Sequence, residues 1–296
     1  MVDRTDTEHR EGFSHSWLSL REPVDHAARN RTLDTRLRNW ALATRSLCIL
    51  EFGAGTGSNL RYLCPKLGHD QHWTLLDNDP SLLSHLPGLV KDWAAENDFD
   101  SEQQAGSLRV SGEHFSASIQ WQRIDLASEL ACLPFASADL VTGSALLDLT
   151  SEAWLRRLAL LCLDNRCASY FVLNYDGNIV WHPENGDDAM LRQLLNEHQL
   201  GDKGFGPALG PQAGEFFASQ LYARQTVEIA ASPWHLDAGH RDLQTALIEG
   251  WSTAATELAA TSCTRIERWQ RQRQRYLSLG QSRLRVGHQD ILALPR

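Results

Sequence analysis

Gly53, Gly55 and Gly57 follow directly on an apolar run, Leu47 to Phe52, whose last two residues are Glu51 and Phe52. Glycines at three alternate positions let a chain turn through positive φ and let a ligand approach main-chain amides that side chains would screen. A second apolar run, Trp73 to Leu76, stops at Asp77 and Asn78, and a third stops at Asp125 and Leu126. A carboxylate takes two donors on two oxygens, which suits the vicinal hydroxyls of a ribose. Bare backbone at one strand end and carboxylates at the next two are the parts of a nucleoside site. Open parallel sheets gather such parts at the carboxyl ends of their strands.

The elements that must position these residues alternate. Apolar runs predict strands at 47–52, 72–77, 118–124, 139–143 and 167–173. Helices are expected from about 57 to a stop at Pro65, from near Pro80 with Asp79 as its cap, over 126–130, and over 151–163. This β/α series predicts an α/β fold, a Rossmann-like parallel sheet with helices on both faces. Strand 118–124 is half polar, which suggests a place near the sheet edge. Residues 88–116 read as an insertion, with a helix around Asp92–Glu96 and a β-segment at Leu108–Val110.

The flanks are less regular. Residues 1–14 are polar and expected to be mobile, and 17–42 is helical, with Pro23 placed to open a second helix. After Asn174 come loop-forming clusters at 175–178 and 182–186, a helix at 188–198 and a glycine- and proline-rich loop at 201–211. A helix at 212–221, a strand at 224–231, a long helical region at 239–278 and a last strand at 283–295 complete the chain. No repeat or second core is visible. The expected organisation is an N-terminal helical segment, 1–45, and one domain, 46–296, elaborated near 88–116 and 175–240.

The chain has 296 residues, 42% hydrophobic, enough to bury a substantial core. Its formal charge of −9 argues against general affinity for nucleic-acid backbones. The most basic stretch, Arg265–Arg275, reads as the solvated side of an amphipathic helix. Six cysteines without a C-x-x-C pair suit buried thiols in a reducing cytoplasm better than disulfides or zinc, so no metal is expected. The N-terminus has no apolar signal region and no run reaches membrane-spanning length.

Glu51-Phe-Gly53-Ala54-Gly55-Thr-Gly57, followed by Leu75-Leu76-Asp77, resembles motif I and its sequel in the class I S-adenosylmethionine-dependent methyltransferases. The nicotinamide fingerprint G-x-G-x-x-G would need glycine where Ser58 stands. The resemblance covers about 47–175. It implies a seven-stranded, mostly parallel sheet with its last strand antiparallel, and N-terminal helices that either cover the cofactor or pack beside the sheet. It implies S-adenosyl-L-methionine held by Glu51, Gly53, Ala54, Gly55 and Gly57, with Asp77 and Asn78 at the ribose. Asp125 and the Leu126 amide would meet the adenine, and Ser144, beside Gly143 and Ala145, would lie under the sulfonium. Asp139 is expected to be structural.

Methyl transfer asks mainly for in-line positioning, and a base only for an alcohol or protonated-amine acceptor. Asp148, Asp176 and His182 are the candidate bases. Trp181, Trp234, Phe205, Phe216 and Phe217 are candidates for an aromatic acceptor pocket, with core packing the alternative. A small-molecule acceptor is the leading expectation. An RNA or protein acceptor, and a non-catalytic binding module, remain the alternatives.

Overall fold

The computed structural model describes residues 14–296. The expectation for the polar N-terminus therefore lies outside the described residues, apart from Ser14. That residue caps α1 (His15–Ala28), its hydroxyl accepting from the Trp17 amide at 3.2 Å. Pro23 does not open a second helix but lies inside α1. A mid-helix proline removes one hydrogen bond; here the Arg21–Asp25 ion pair, 2.8 Å, bridges across it on one helix face. The break comes at Asn30, whose side chain accepts from the Thr32 and Leu33 amides and starts α2 (Arg31–Ala41).

The alternation then runs β1 (Ser46–Phe52), α3 (Ser58–Leu67), β2 (His69–Asp77) and α4 (Pro80–Glu96). A hairpin of β3 (Asp100–Gln104) and β4 (Ser107–Gly112) leads to β5 (Phe115–Arg123) and α5 (Leu126–Glu129). Next come β6 (Leu140–Ser144), α6 (Glu152–Asp164), β7 (Ala168–His182), α7 (Asp188–Gln199) and α8 (Ala213–Leu221). The chain ends with β8 (Gln225–Ala231), β9 (Trp234–Leu236), α9 (Arg241–Leu258), α10 (Cys263–Ser278) and β10 (Arg283–Pro295).

These strands form one ten-stranded sheet in the order β3-β4-β5-β2-β1-β6-β7-β10-β8, with β9 on β10. Strands β5, β2, β1, β6 and β7 are parallel; β10 is antiparallel to both β7 and β8. The fold is thus a Rossmann-like α/β sheet with its last strand reversed. Chain order turns between β1 and β6, the position at which such sheets bind ligands. One apolar core, around Leu37, Leu60, Trp73 and Leu86, fills one side of the sheet, and another, around Phe52, Phe135, Trp154 and Phe217, fills the other.

Five expectations are corrected. The sheet has ten strands rather than seven, because the β3–β4 hairpin and β9 add to it. Strand β5 is not the edge strand but third from it, because the β3–β4 hairpin pairs onto it, and its polar Gln120, Gln122 and Arg123 stay exposed. Pro65 does not stop α3, since in the last turn its missing amide removes only one late bond. The long helical region divides at a short 3-10 turn, Ala260–Ser262, into α9 and α10. Most important for the site, β7 does not end at Leu173. It continues through the turn-like Tyr175-Asp-Gly-Asn to His182, because β10 pairs along it from Ala293↔Ser169 to Arg283↔His182. Irregularities between Val286 and His288 absorb the bend, and Gly287 lacks a Cβ because Asp176 lies against it.

This extension carries a third apolar core, with Ile179, Trp181, Trp234, Leu247, Trp269 and Leu284 buried beneath α7, α9 and α10. The basic stretch of α10 is largely neutralised there. Arg265 and Arg268 bond Asp187, Arg273 bonds Asp188 and the Pro183 carbonyl, and Arg271 pairs with Glu267.

Candidate active site

The turn after β1 is built for close approach. Gly53, Gly55 and Gly57 have φ of 61°, 53° and 81°, a region that L side chains avoid. The Ala54 amide donates to Leu76 O at 3.1 Å, and the Gly55 amide donates to Asp77 Oδ2 at 2.7 Å. Asp77 Oδ1 accepts from the Asp79 amide at 2.9 Å. Asp77 therefore clamps the glycine turn to the end of β2. Each oxygen retains a lone pair, and the side chain is half-buried, with burial raising its pKa. Asn78 beside it is exposed, and its carbonyl accepts from Arg123 Nε.

Glu51 lies beneath this turn, 1% exposed, with Oε2 lacking any hydrogen-bond partner. Burial pushes its carboxyl up to about 8, opposed by Arg29 and Arg61. A buried carboxylate without a partner is costly, so this oxygen marks a place for a donor. Its surroundings are rigid: Arg29 Nη1 bonds Asn59 Oδ1 at 2.8 Å, and Asn59 bonds Thr142 Oγ1 at 3.2 Å.

Helix α1 lies over the turn. A Cβ on Gly55 would stand 3.1 Å from Leu18 Cδ1. Glu22 bonds Arg61, whose Nη1 donates to Thr56 O at 2.6 Å. His26 Nε2 lies 3.1 Å from Ser58 Oγ, and His15 stacks on His85 of α4 at 4.8 Å. The N-terminal helix thus contacts both the glycine turn and the helix after β2. These α1 residues are invisible to motif reading, since a covering helix and a merely amphipathic one share the same pattern.

At the end of β5, Asp125 caps α5: Oδ1 accepts from the Ala127 amide and Oδ2 from the Ser128 hydroxyl, both at 3.0 Å. Leu126 is the first residue of that helix, and the cap does not take its amide. At the end of β6, Gly143 and Ser144 lead into Ala145, which has φ 52°. Gly143 is needed for packing, since a Cβ there would sit 3.0 Å from Phe52 O. Asp139 is structural, its carboxylate accepting from the Cys48 amide at 2.8 Å.

A second orphaned carboxylate follows Ser144. Asp148, in the 3-10 turn Leu147–Leu149, is 6% exposed and its Oδ1 has no partner. Burial pushes it up to about 6, against the backbone amides of Asp148 and Tyr175 and the charge of Arg21. Asn174 fixes this turn, its Oδ1 accepting from the Leu147 amide at 3.2 Å. Across the strand from Tyr175 stands His288 of β10, buried, with Nδ1 unpartnered. Burial, aided by Arg21, lowers its pKa to about 3. Its ring lies 4.8 Å from Trp234 and 6.3 Å from Tyr175, and Arg21 lies over Trp234 at 5.2 Å. Asp148, His288, Tyr175, Trp234 and Arg21 thus form one largely buried polar and aromatic cluster. Of these, sequence reasoning named only Asp148 and Trp234.

The other candidates are elsewhere. His182 is exposed at the far end of β7, on the order of 25 Å beyond Asn174 at the usual strand rise. Asp176 closes its own turn, Oδ1 accepting from the Asn178 amide at 2.9 Å. The aromatic pocket is mostly core: Trp181 packs on Trp251 and Trp269, Phe217 on Phe171, and Phe205 on Trp154, while Arg156 covers Phe216. Among the described residues no group of three metal-ligating side chains occurs, and no helix is long and apolar enough to cross a membrane.

No family model matches the chain, and no curated protein does. Solved structures do resemble it. The YcgJ protein of Bacillus subtilis is 14% identical over 90% of this chain and 100% of its own, with a TM-score of 0.47. The cyclopropane synthase MmaA2 of Mycobacterium tuberculosis is 13% identical over 95% and 94%, with a TM-score of 0.47. A SAM-dependent methyltransferase of Thiobacillus denitrificans, solved with S-adenosyl-L-homocysteine, is 11% identical over 96% and 99%, with a TM-score of 0.44. Likeness at this level carries no functional argument.

Proposed function

We propose that the protein is an S-adenosyl-L-methionine-dependent methyltransferase acting on the oxygen, nitrogen or carbon of a small molecule. The observation that carries this reading is the buried Glu51 carboxylate, with Oε2 unpartnered, under a glycine turn clamped by Asp77 at the reversal of the sheet. These residues fit the cofactor's polar groups. An ammonium is the donor that Glu51 lacks and would restore its ionised form. Asp77 has lone pairs for ribose hydroxyls, with Asn78 beside it. The Leu126 amide, with Asp125, suits an adenine edge. The bare turn Gly53–Gly57, including Ala54, and Ser144 at the next strand end would line the remainder.

When bound, S-adenosyl-L-methionine supplies an electrophilic methyl group on a sulfonium. The chain's part is to hold the acceptor in line, an orientation worth up to roughly 7–11 kcal/mol. Asp148 is the base in this reading. Its folded pKa of about 6 leaves it mostly ionised at neutral pH yet more basic than an exposed aspartate, which suits removal of a proton from a hydroxyl or ammonium acceptor. Neutral His288 offers a hydrogen-bonding ring atom, while Tyr175 and Trp234 supply apolar walls. Arg21, held by Asp25, keeps the Asp148 carboxyl lower than burial alone would set it.

An RNA acceptor finds little support, because the arginines of the basic helix that lie near carboxylates are already paired. The unpaired cysteines, three of them buried, support a reducing cytoplasm. Calorimetry with S-adenosyl-L-homocysteine is the direct test of the donor site, and absence of saturable binding overturns the reading. Incubation with methyl-labelled cofactor and either cell metabolites or cell RNA then identifies the acceptor. Label in the metabolite pool supports a small molecule, and label in neither pool supports a non-catalytic binder.

A further inference from the structure

Beyond the site, β7, β10 and β9 continue together as a three-stranded ribbon. Ile179, Trp181, Leu284, Val286, Trp234 and Leu236 are buried on one face. Alternation sends the residues between them to the opposite face. The register pairs Arg283 with His182, and pairs Arg285 with Val180 on one side and His235 on the other. These five side chains therefore share a face, and they line an open cavity of about 550 Å³ bordered by the turns at 237–239 and 280–282.

This face carries two arginines and two histidines. In a chain of net charge −9, Arg265, Arg268, Arg271 and Arg273 of the nearby α10 are matched to Asp187, Asp188 and Glu267. Among the described residues, Arg283 and Arg285 have no carboxylate partner. Asp237, the only carboxylate in the lining, is engaged by the Gly239 amide at 2.9 Å and by His240 Nδ1 at 2.9 Å. Two guanidiniums at i and i+2 of one strand share a face, and an anion between them offsets their mutual repulsion. Guanidinium forks match phosphate oxygens two at a time. The two arginines are two residues apart on one strand, about 7 Å, a spacing for two phosphate groups or for one phosphate and a second anionic group. Exposed Val180, opposite Arg285, offers an apolar contact. The volume falls in the range of about 300–1,000 Å³ usual for small-molecule sites.

We propose that the ribbon cavity binds a small phosphorylated ligand, a phosphate ester or diphosphate of up to nucleotide size, through Arg283 and Arg285 with His182 and His235 at its flanks. This site is independent of the methyl-transfer reading, and it uses the one sequence-selected histidine that lies far from the cluster around Asp148.

The test is calorimetry on the full chain at low ionic strength, with inorganic pyrophosphate and AMP as probes. The expected result is saturable one-to-one binding of at least one probe, weakened roughly tenfold or more by Arg283→Gln with Arg285→Gln. S-adenosyl-L-homocysteine binding and the melting temperature should not change in that variant. Should the variant unfold, protection of Arg283 and Arg285 in the unmodified protein decides the question. Bound pyrophosphate must slow their modification by phenylglyoxal, as read by mass spectrometry, and unchanged modification overturns the proposal. Absence of saturable binding, equal affinity in the folded variant, or a single-stranded oligonucleotide binding more tightly than both probes also overturns it.

Discussion

The two halves of the sheet's carboxyl edge are built differently. The half proposed for the donor, after β1, β2 and β5, consists of backbone amides and carboxylates held by their immediate neighbours: Asp77 by the Gly55 and Asp79 amides, Asp125 by its own helix start. The half proposed for the acceptor, after β6 and beside the middle of β7, gathers Arg21, Asp148, Tyr175, Trp234 and His288 from five separate elements or turns. Each half contains one buried carboxylate with an orphaned oxygen, Glu51 and Asp148. Burial raises Glu51 to about 8 and Asp148 to about 6. One is therefore neutral in the free protein at pH 7 and poised to ionise on meeting a cation. The other is already charged and poised to take a proton.

The sharpest way to separate the halves is Asp148→Asn. The expected loss in kcat is about 10²–10⁴-fold, with S-adenosyl-L-homocysteine affinity unchanged by calorimetry. In the unmodified enzyme the rate should rise with pH through about 6, as Asp148 loses its proton, and this limb should vanish in the variant. A retained limb would assign the base elsewhere. Asp77→Ala should do the reverse, weakening cofactor affinity on the order of tenfold to a hundredfold. It removes both the hydroxyl acceptor and the clamp on Gly55, each charge-assisted bond being worth about 1.5–3 kcal/mol.

Glu51 gives a smaller but more specific signal. Cofactor binding at pH 7 should release up to one proton, measured as a dependence of binding enthalpy on buffer ionisation enthalpy. Glu51→Gln should abolish that dependence. The same residue links stability to pH. Between the ordinary glutamate value of 4.5 and the folded value of about 8, the native state holds the extra proton, so stability falls as pH rises through that interval. Glu51→Gln should therefore melt higher than the parent at pH 9 and gain least near pH 5. A gain independent of pH would contradict a titrating Glu51.

The smallest effect is expected at His288. Because burial keeps it neutral down to about pH 3, His288→Gln should preserve acceptor binding, whereas His288→Leu should raise KM roughly five- to tenfold, the cost of about one hydrogen bond. The pH profile should be the same in both. A shifted acid limb would mean that His288, rather than Asp148, exchanges the proton.

Most of the parallel sheet and the proposed donor half were legible because their signals are local. An apolar run, a glycine turn and an acidic residue recur within about thirty residues, and β/α alternation leaves few topologies. The proposed acceptor half was legible only at Asp148 and Trp234. His288 lies in a strand whose pattern announces nothing, and Arg21 lies in a helix that reads as amphipathic. The continuation of β7 was hidden for the opposite reason. Tyr175-Asp-Gly-Asn has the composition of a turn, and only pairing with β10, more than a hundred residues later, holds it extended.

What the sequence determined by itself was therefore the kind of backbone at the glycine turn and the identity of the carboxylates at the strand ends. Those properties depend on φ preferences and on residues within one β/α unit. The tertiary structure decided which polar atoms were left without partners, and hence which groups are shifted toward neutral pH. Desolvation is set by everything packed around a side chain, so Glu51 and Asp148 acquire their chemistry from helices and strands drawn from the whole chain.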